Sequence, residues 1–66
     1  MLIQVNGEKR EVEAGCSLTT LLNSLGFGGK PVAIELNLQA LTPSQINDTQ
    51  LKNDDQLEII VLAPGG

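Results

Sequence analysis

Apolar positions alternate with polar ones near both ends of this chain and fall at helical spacing in between. Leu2 to Val5 and Lys9 to Glu13 read as two short strands. They are separated by Asn6-Gly7, a pair that accepts positive φ and so suits a two-residue hairpin turn. In the second run Glu11 and Glu13 alternate with Arg10 and Val12, so Ile3, Val5 and Val12 are expected to face inward. Leu18, Leu21, Leu22 and Leu25 follow at i, i+3, i+4 and i+7. That spacing predicts one apolar helical stripe, with Ser17 as its N-cap and Gly26 as a left-handed stop. So short a helix is marginal alone and needs a sheet to hold its leucines.

Beyond the glycine-rich connection through Lys30-Pro31, Val32 to Leu36 reads as an interior strand, with Val32, Ile34 and Leu36 on one face and Glu35 on the accessible one. Asn37 opens a turn into a short strand or extended segment at Leu38 to Leu41. Thr42-Pro43-Ser44 marks a helix start or turn, and Ser44 to Gln50 is expected to be irregular or a single helical turn. The polar turn Lys52-Asn53-Asp54-Asp55 leads into a last strand, Gln56 to Leu62. Its alternation sends Leu57, Ile59 and Val61 to the core and leaves Ile60 and Leu62 outside, beside the chain end, where exposed apolar groups suggest a docking surface. Hairpin, helix and further strands make an α+β arrangement with one covering helix. A right-handed crossover through that helix would set the third strand beside the first, with the last strand joining centrally.

Length changes this picture only by limiting it: 66 residues hold one domain, with a core worth a few kcal/mol of net stability. One cysteine and no histidine leave no internal disulfide and no ordinary zinc cage, so packing of branched aliphatics has to suffice. A net charge of −4 opposes nucleic-acid binding, which needs a basic stripe against phosphate. It suits docking on basic patches of partner proteins. Met1 runs directly into a strand pattern with no leader or membrane-spanning segment, so a cytoplasmic location and no membrane association are expected.

Several candidate chemistries are weak. Cys16 precedes the helix cap, where a thiol pKa can fall, but it lacks a histidine or basic neighbour and is given no role. Gly26-Phe27-Gly28-Gly29 lacks the lysine and hydroxyl of a phosphate-binding loop and does not run from strand into helix. It is read as a cap and loop, with Phe27 folding back over the helix. Asp48, Asp54 and Asp55 lack calcium-loop spacing and are expected to form a solvated acidic rim. The end of the chain is more informative. Gly65-Gly66 has no Cβ to obstruct a narrow cleft, and Pro64 favours an extended approach. The division is thus a domain over 1–62 and a flexible tail over 63–66.

Val5-Asn6-Gly7-Glu8, Leu21-Leu22 with Leu25-Gly26, Val32-Ala33-Ile34-Glu35-Leu36-Asn37, the acidic turn before Leu57-Glu58-Ile59-Ile60 and the closing Gly65-Gly66 together resemble the ThiS family, the sulfur carriers of thiamin thiazole synthesis. The resemblance spans the whole chain. It implies a ubiquitin-like β-grasp fold, a mixed sheet of four to five strands on one main helix. It also implies a protein substrate, not an enzyme. An E1-like adenylyltransferase would use ATP to adenylate the carboxylate of Gly66, and a cysteine desulfurase or other persulfide donor would supply sulfur. The resulting thiocarboxylate would serve thiazole synthase. Pro64 and Gly65 would form the tail, and Ile60 and Leu62 the partner interface, with no permanently bound cofactor and no metal. The alternatives are the small subunit of molybdopterin synthase, a ubiquitin-like protein modifier, and a passive interaction module whose tail is irrelevant.

Overall fold

The computed structural model describes residues 1–62. Its first strand, β1 (Leu2–Val5), turns back through Asn6 and Gly7, both at positive φ, and pairs antiparallel with β2 (Glu8–Glu11). The pairing of Val5 with Glu8 leaves two residues in the loop, as the dipeptide predicts. The second strand is shorter than the expected Lys9 to Glu13 and starts one residue earlier. Val12 lies beyond it, half-buried against the core, with its N–H donated to the Met1 carbonyl oxygen at 2.8 Å.

Helix α1 (Leu18–Ser24) has the expected cap, the Ser17 hydroxyl oxygen accepting from the Thr20 N–H at 3.1 Å. Leu18, Leu21 and Leu22 are buried, and Leu25 caps the end just before Gly26 at φ +88. Phe27 is half-buried against the core, its N–H donated to the Leu22 carbonyl, so it does fold back over the helix. The chain continues through β3 (Val32–Leu36), β4 (Gln39–Ala40), a second helix α2 (Pro43–Asp48) and β5 (Gln56–Val61). The helix start read at Thr42-Pro43-Ser44 is real. Thr42 and Gln45 form a reciprocal capping box, with Pro43 at the first turn where its missing N–H costs nothing.

The five strands run in the order β2-β1-β5-β3-β4, with β1 and β5 parallel and the other neighbours antiparallel. The last strand takes the central place as expected, but the third strand does not lie beside the first. β5 occupies that slot and separates them. It pairs along its length with β3, from Val32↔Val61 to Leu36↔Leu57, and its entry is held to β1 by Gln4 N–H on the Asp55 carbonyl and Asn6 N–H on the Leu57 carbonyl. A central strand satisfies its backbone groups on both sides, which favours the most apolar strand there.

The core lies between one sheet face and α1: Ile3 and Val5 from β1, Ile34 from β3, and Leu57 and Ile59 from β5 meet the helix leucines. Leu51, assigned to no element by the periodicity, is also buried. Its N–H reaches the Cys16 carbonyl, and the Leu18 N–H reaches the Thr49 carbonyl, so this segment is tied to the start of α1.

Two expectations about burial fail. Val61 is 48% exposed, because it opposes Val32 at the last paired position of the ladder, beyond the last buried residue of the strand, Ile59. Asp55 is not part of a solvated rim, since only 8% of it is exposed. Its two carboxylate oxygens accept from Asn37 Nδ2 at 3.0 Å and from the Lys52 N–H at 2.7 Å, closing the turn into β5. Two such donors repay the desolvation of a carboxylate. Asp48 and Asp54 are exposed as expected.

Candidate functional site

The predicted interface residues stand on the sheet face turned away from α1. Because side chains alternate and cross-strand partners share a face, the β3–β5 register fixes that face rung by rung. Glu35 stands opposite Glu58, and Ala33 opposite Ile60. Backbone hydrogen bonds extend the ladder at both ends: Asn37 N–H donates to the Gln56 carbonyl at 2.8 Å, and Leu62 N–H to the Pro31 carbonyl at 2.9 Å. The face therefore grades from amides through paired carboxylates to apolar groups as β5 runs toward the chain end.

Ile60 is 55% and Leu62 48% exposed, so the structure puts both predicted interface residues on one open surface. Among the described residues, intramolecular packing covers neither. Leu62 remains tied to Pro31 and is thus anchored immediately before the tail. Pro64, Gly65 and Gly66, the predicted tail and reactive terminus, lie outside the described residues. The paired glutamates were not foreseen as a unit. Each sits in a strand whose alternation is legible, but their meeting depends on register between segments 23 residues apart (58 − 35).

β5 is positioned by an asparagine on each side. Asn6, at φ 51, accepts from the Ile59 N–H through Oδ1 at 2.7 Å and donates Nδ2 to the Ile59 carbonyl at 3.3 Å. Asn37, also at φ 51, accepts from the Gln56 N–H through Oδ1 at 2.9 Å. Each side-chain amide continues a ladder where the neighbouring strand has turned away, so the start and middle of β5 are pinned.

The other candidates stay quiet. Cys16 is half-buried, its Sγ donating to the Ser17 carbonyl, and it borders an open groove shared with Val12, Thr20, Ser24 and Gln50 that no basic side chain lines. Among the described residues no cluster of three or more His, Cys, Asp or Glu is placed to hold a metal ion. No helix there is long and apolar enough to cross a membrane.

Comparison with known proteins gives this surface its context. The ThiS family model matches residues 3–66. The chain is 34% identical over 65 residues to the sulfur carrier protein ThiS of Thermus thermophilus, covering 98% of this chain and 100% of that one. It is 41% identical over 64 residues to the uncharacterized protein ycf40 of Pyropia yezoensis, covering 97% and 90%. The thiazole synthase of Magnetococcus marinus is 38% identical over all 66 residues, but the chain spans only 20% of its length. The crystal structure of the thiamine biosynthesis protein ThiS from Geobacter metallireducens superposes with a TM-score of 0.83 at 29% identity, covering both chains completely. A five-stranded mixed sheet on one main helix, matched over its full extent by that structure, is the ubiquitin-like β-grasp fold, and with the family model covering nearly every residue the chain belongs to the ThiS family of sulfur carrier proteins in thiamin biosynthesis.

Proposed function

We propose that the chain carries sulfur on the carboxylate of Gly66 and delivers it to a thiazole synthase. The observation that carries this reading is the open apolar end of β5: Ile60 and Leu62 are exposed together, with Leu62 anchored four residues before Gly66 (66 − 62). Four extended residues reach about 14 Å at most, so a partner seated on this surface can receive the terminus in its own active site. Pro64 and Gly65 serve as the narrow leader, because neither presents a long side chain to a cleft.

The chemistry needs activation first, since a carboxylate is a poor electrophile. An E1-like enzyme joins the Gly66 carboxylate to the α-phosphate of ATP and releases pyrophosphate. A persulfide sulfur, originating from a cysteine desulfurase, then attacks the acyl carbon. AMP leaves and an acyl disulfide forms. A thiol cleaves the S–S bond, becomes oxidised in a disulfide, and frees the thiocarboxylate. The chain has no histidine, and proton transfers are assigned to the partner enzymes, so it acts as their protein substrate and holds no permanent cofactor. Delivery to a thiazole precursor, not a pterin, is supported by the likeness to two thiazole synthases, from Magnetococcus marinus and Paramagnetospirillum magneticum.

Intact-protein mass spectrometry tests this directly, after incubation with a cognate E1-like enzyme, ATP, a cysteine desulfurase and cysteine. The expected result is a mass gain equal to one sulfur minus one oxygen, lost on deletion of Gly66. An unchanged mass, with the same enzymes active on another carrier, would leave the tail without this role.

A further inference from the structure

Asn6-Gly7 makes the hairpin turn, and it is also the one place where an asparagine of this chain precedes glycine; the other four precede Ser24, Leu38, Asp48 and Asp54. The order has a chemical consequence. A backbone nitrogen can attack the side-chain amide carbon of the asparagine before it, and glycine sets no Cβ in the path. Asn6 and Gly7 are both exposed, and among the described residues no heavy atom beyond its chain neighbours lies within 4 Å of where a Gly7 Cβ would stand. What opposes the attack is the clamp on β5: Asn6 Oδ1 accepts from the Ile59 N–H at 2.7 Å, and Nδ2 donates to the Ile59 carbonyl at 3.3 Å. These bonds hold the amide on β5, so its carbon reaches the Gly7 nitrogen only after they open. Asn37 provides a comparison in the same molecule. It shares φ 51, exposure and a side-chain oxygen on a β5 N–H, that of Gln56, but Leu38 follows it.

We propose that Asn6 is a site of spontaneous deamidation, restrained by its clamp on Ile59, and that the reaction unpins β5 once it occurs. The Gly7 nitrogen bonds to Asn6 Cγ and gives up its proton, the C–N bond of the side-chain amide breaks, and the nitrogen leaves with that proton as ammonia. Water then opens the cyclic imide at either carbonyl, leaving aspartate or isoaspartate. Aspartate keeps an acceptor for the Ile59 N–H but sets an oxygen, in place of Nδ2, against the Ile59 carbonyl, acceptor against acceptor. Isoaspartate also lengthens the main chain by one methylene inside a two-residue loop, which carries the side chain off Ile59. The pin at the middle of β5 is lost one residue before exposed Ile60. This inference does not depend on the carrier function.

The test incubates the parent chain at mildly alkaline pH, with and without urea, and follows each asparagine by peptide mapping in a mass spectrometer, with isoaspartate counted by enzymatic methylation. A mass gain of one oxygen minus one NH is expected at Asn6 and not at Asn37. It should be about tenfold faster in urea, where the two hydrogen bonds no longer hold the amide. Leu38→Gly is expected to bring Asn37 into the reaction, because the side chain that hinders attack is gone. In the isoaspartate form, separated by chromatography, the Ile59 N–H should exchange with solvent about tenfold faster than in the parent chain, measured against the α1 amides. An Asn6 that stays intact while a peptide of residues 2–11 converts completely would overturn the assignment, as would an Asn37 that stays intact in the Leu38→Gly chain. Equal rates with and without urea would remove the role of the clamp. Ile59 exchange within about twofold of the parent's would show that β5 stays pinned.

Discussion

Leu38 breaks a local rule that its neighbours obey. It sits at φ 70 in the two-residue turn between β3 and β4, after Asn37 at φ 51, and is 89% exposed. Turns of this hand favour glycine at the second position, because a Cβ there crowds the following carbonyl. Asn6-Gly7 meets that preference and was legible as a hairpin; Asn37 was legible as a turn residue, but Leu38 read as the start of the next strand, since nothing in a leucine announces a left-handed residue. Leu38→Gly is expected to raise stability by about 0.5–1 kcal/mol, the steric relief outweighing the entropy of the added glycine. Thermal melting checks this, and a lower melting temperature would show that Leu38 makes a stabilising contact. Asp55 was misjudged for a related reason. Its charge suggests solvent, but its burial depends on Asn37, 18 residues away along the chain, joining the N–H of nearby Lys52 at the carboxylate.

β5 is where neighbouring elements decide most. Its alternation was readable, and Leu57, Ile59, Ile60 and Leu62 all point as that alternation demands. Its place between β1 and β3 was only partly readable, because hydrogen-bonding partners leave no periodic trace. The asparagine amides beside it make that placement costly to change. Asn6→Ala would strand the Ile59 N–H and put alanine at φ 51. The expected loss is about 1–3 kcal/mol in urea unfolding, from an unmet donor plus backbone strain. A loss under about 0.5 kcal/mol would mean that water replaces the side chain freely. The α2 segment shows the opposite case: its capping box is a purely local signal, and the stretch read as irregular or a single helical turn is a six-residue helix, Pro43–Asp48. Packing against α1 supplies what so short a segment lacks.

A chain of this size has one core and little reserve. Leu57 is fully enclosed among the helix leucines and the inward residues of β1 and β3. Leu57→Ala is expected to cost about 2–5 kcal/mol, comparable to the whole stability that a domain this small can muster. Circular dichroism at 25 °C should then show a largely unfolded population, and a variant that stays folded with a melting point near the parent's would indicate that the cavity collapses. Under the proposed function, sulfur loading would fall with the folded fraction, although Leu57 is buried away from any docking surface.

Local information sufficed for the strand alternation, the hairpin at Asn6-Gly7, the Ser17 cap and the Gly26 stop, since each depends on residues within a turn or two of chain. Resemblance in those same segments carried the family, and with it the β-grasp fold. Tertiary structure alone decided that β5 separates β1 from β3, that Leu51 and Asp55 are buried and Val61 is not, and that Glu35 meets Glu58. Those outcomes depend on which distant segments share hydrogen bonds and on where the covering helix ends. Periodicity says which way a side chain points, but only pairing says what it faces.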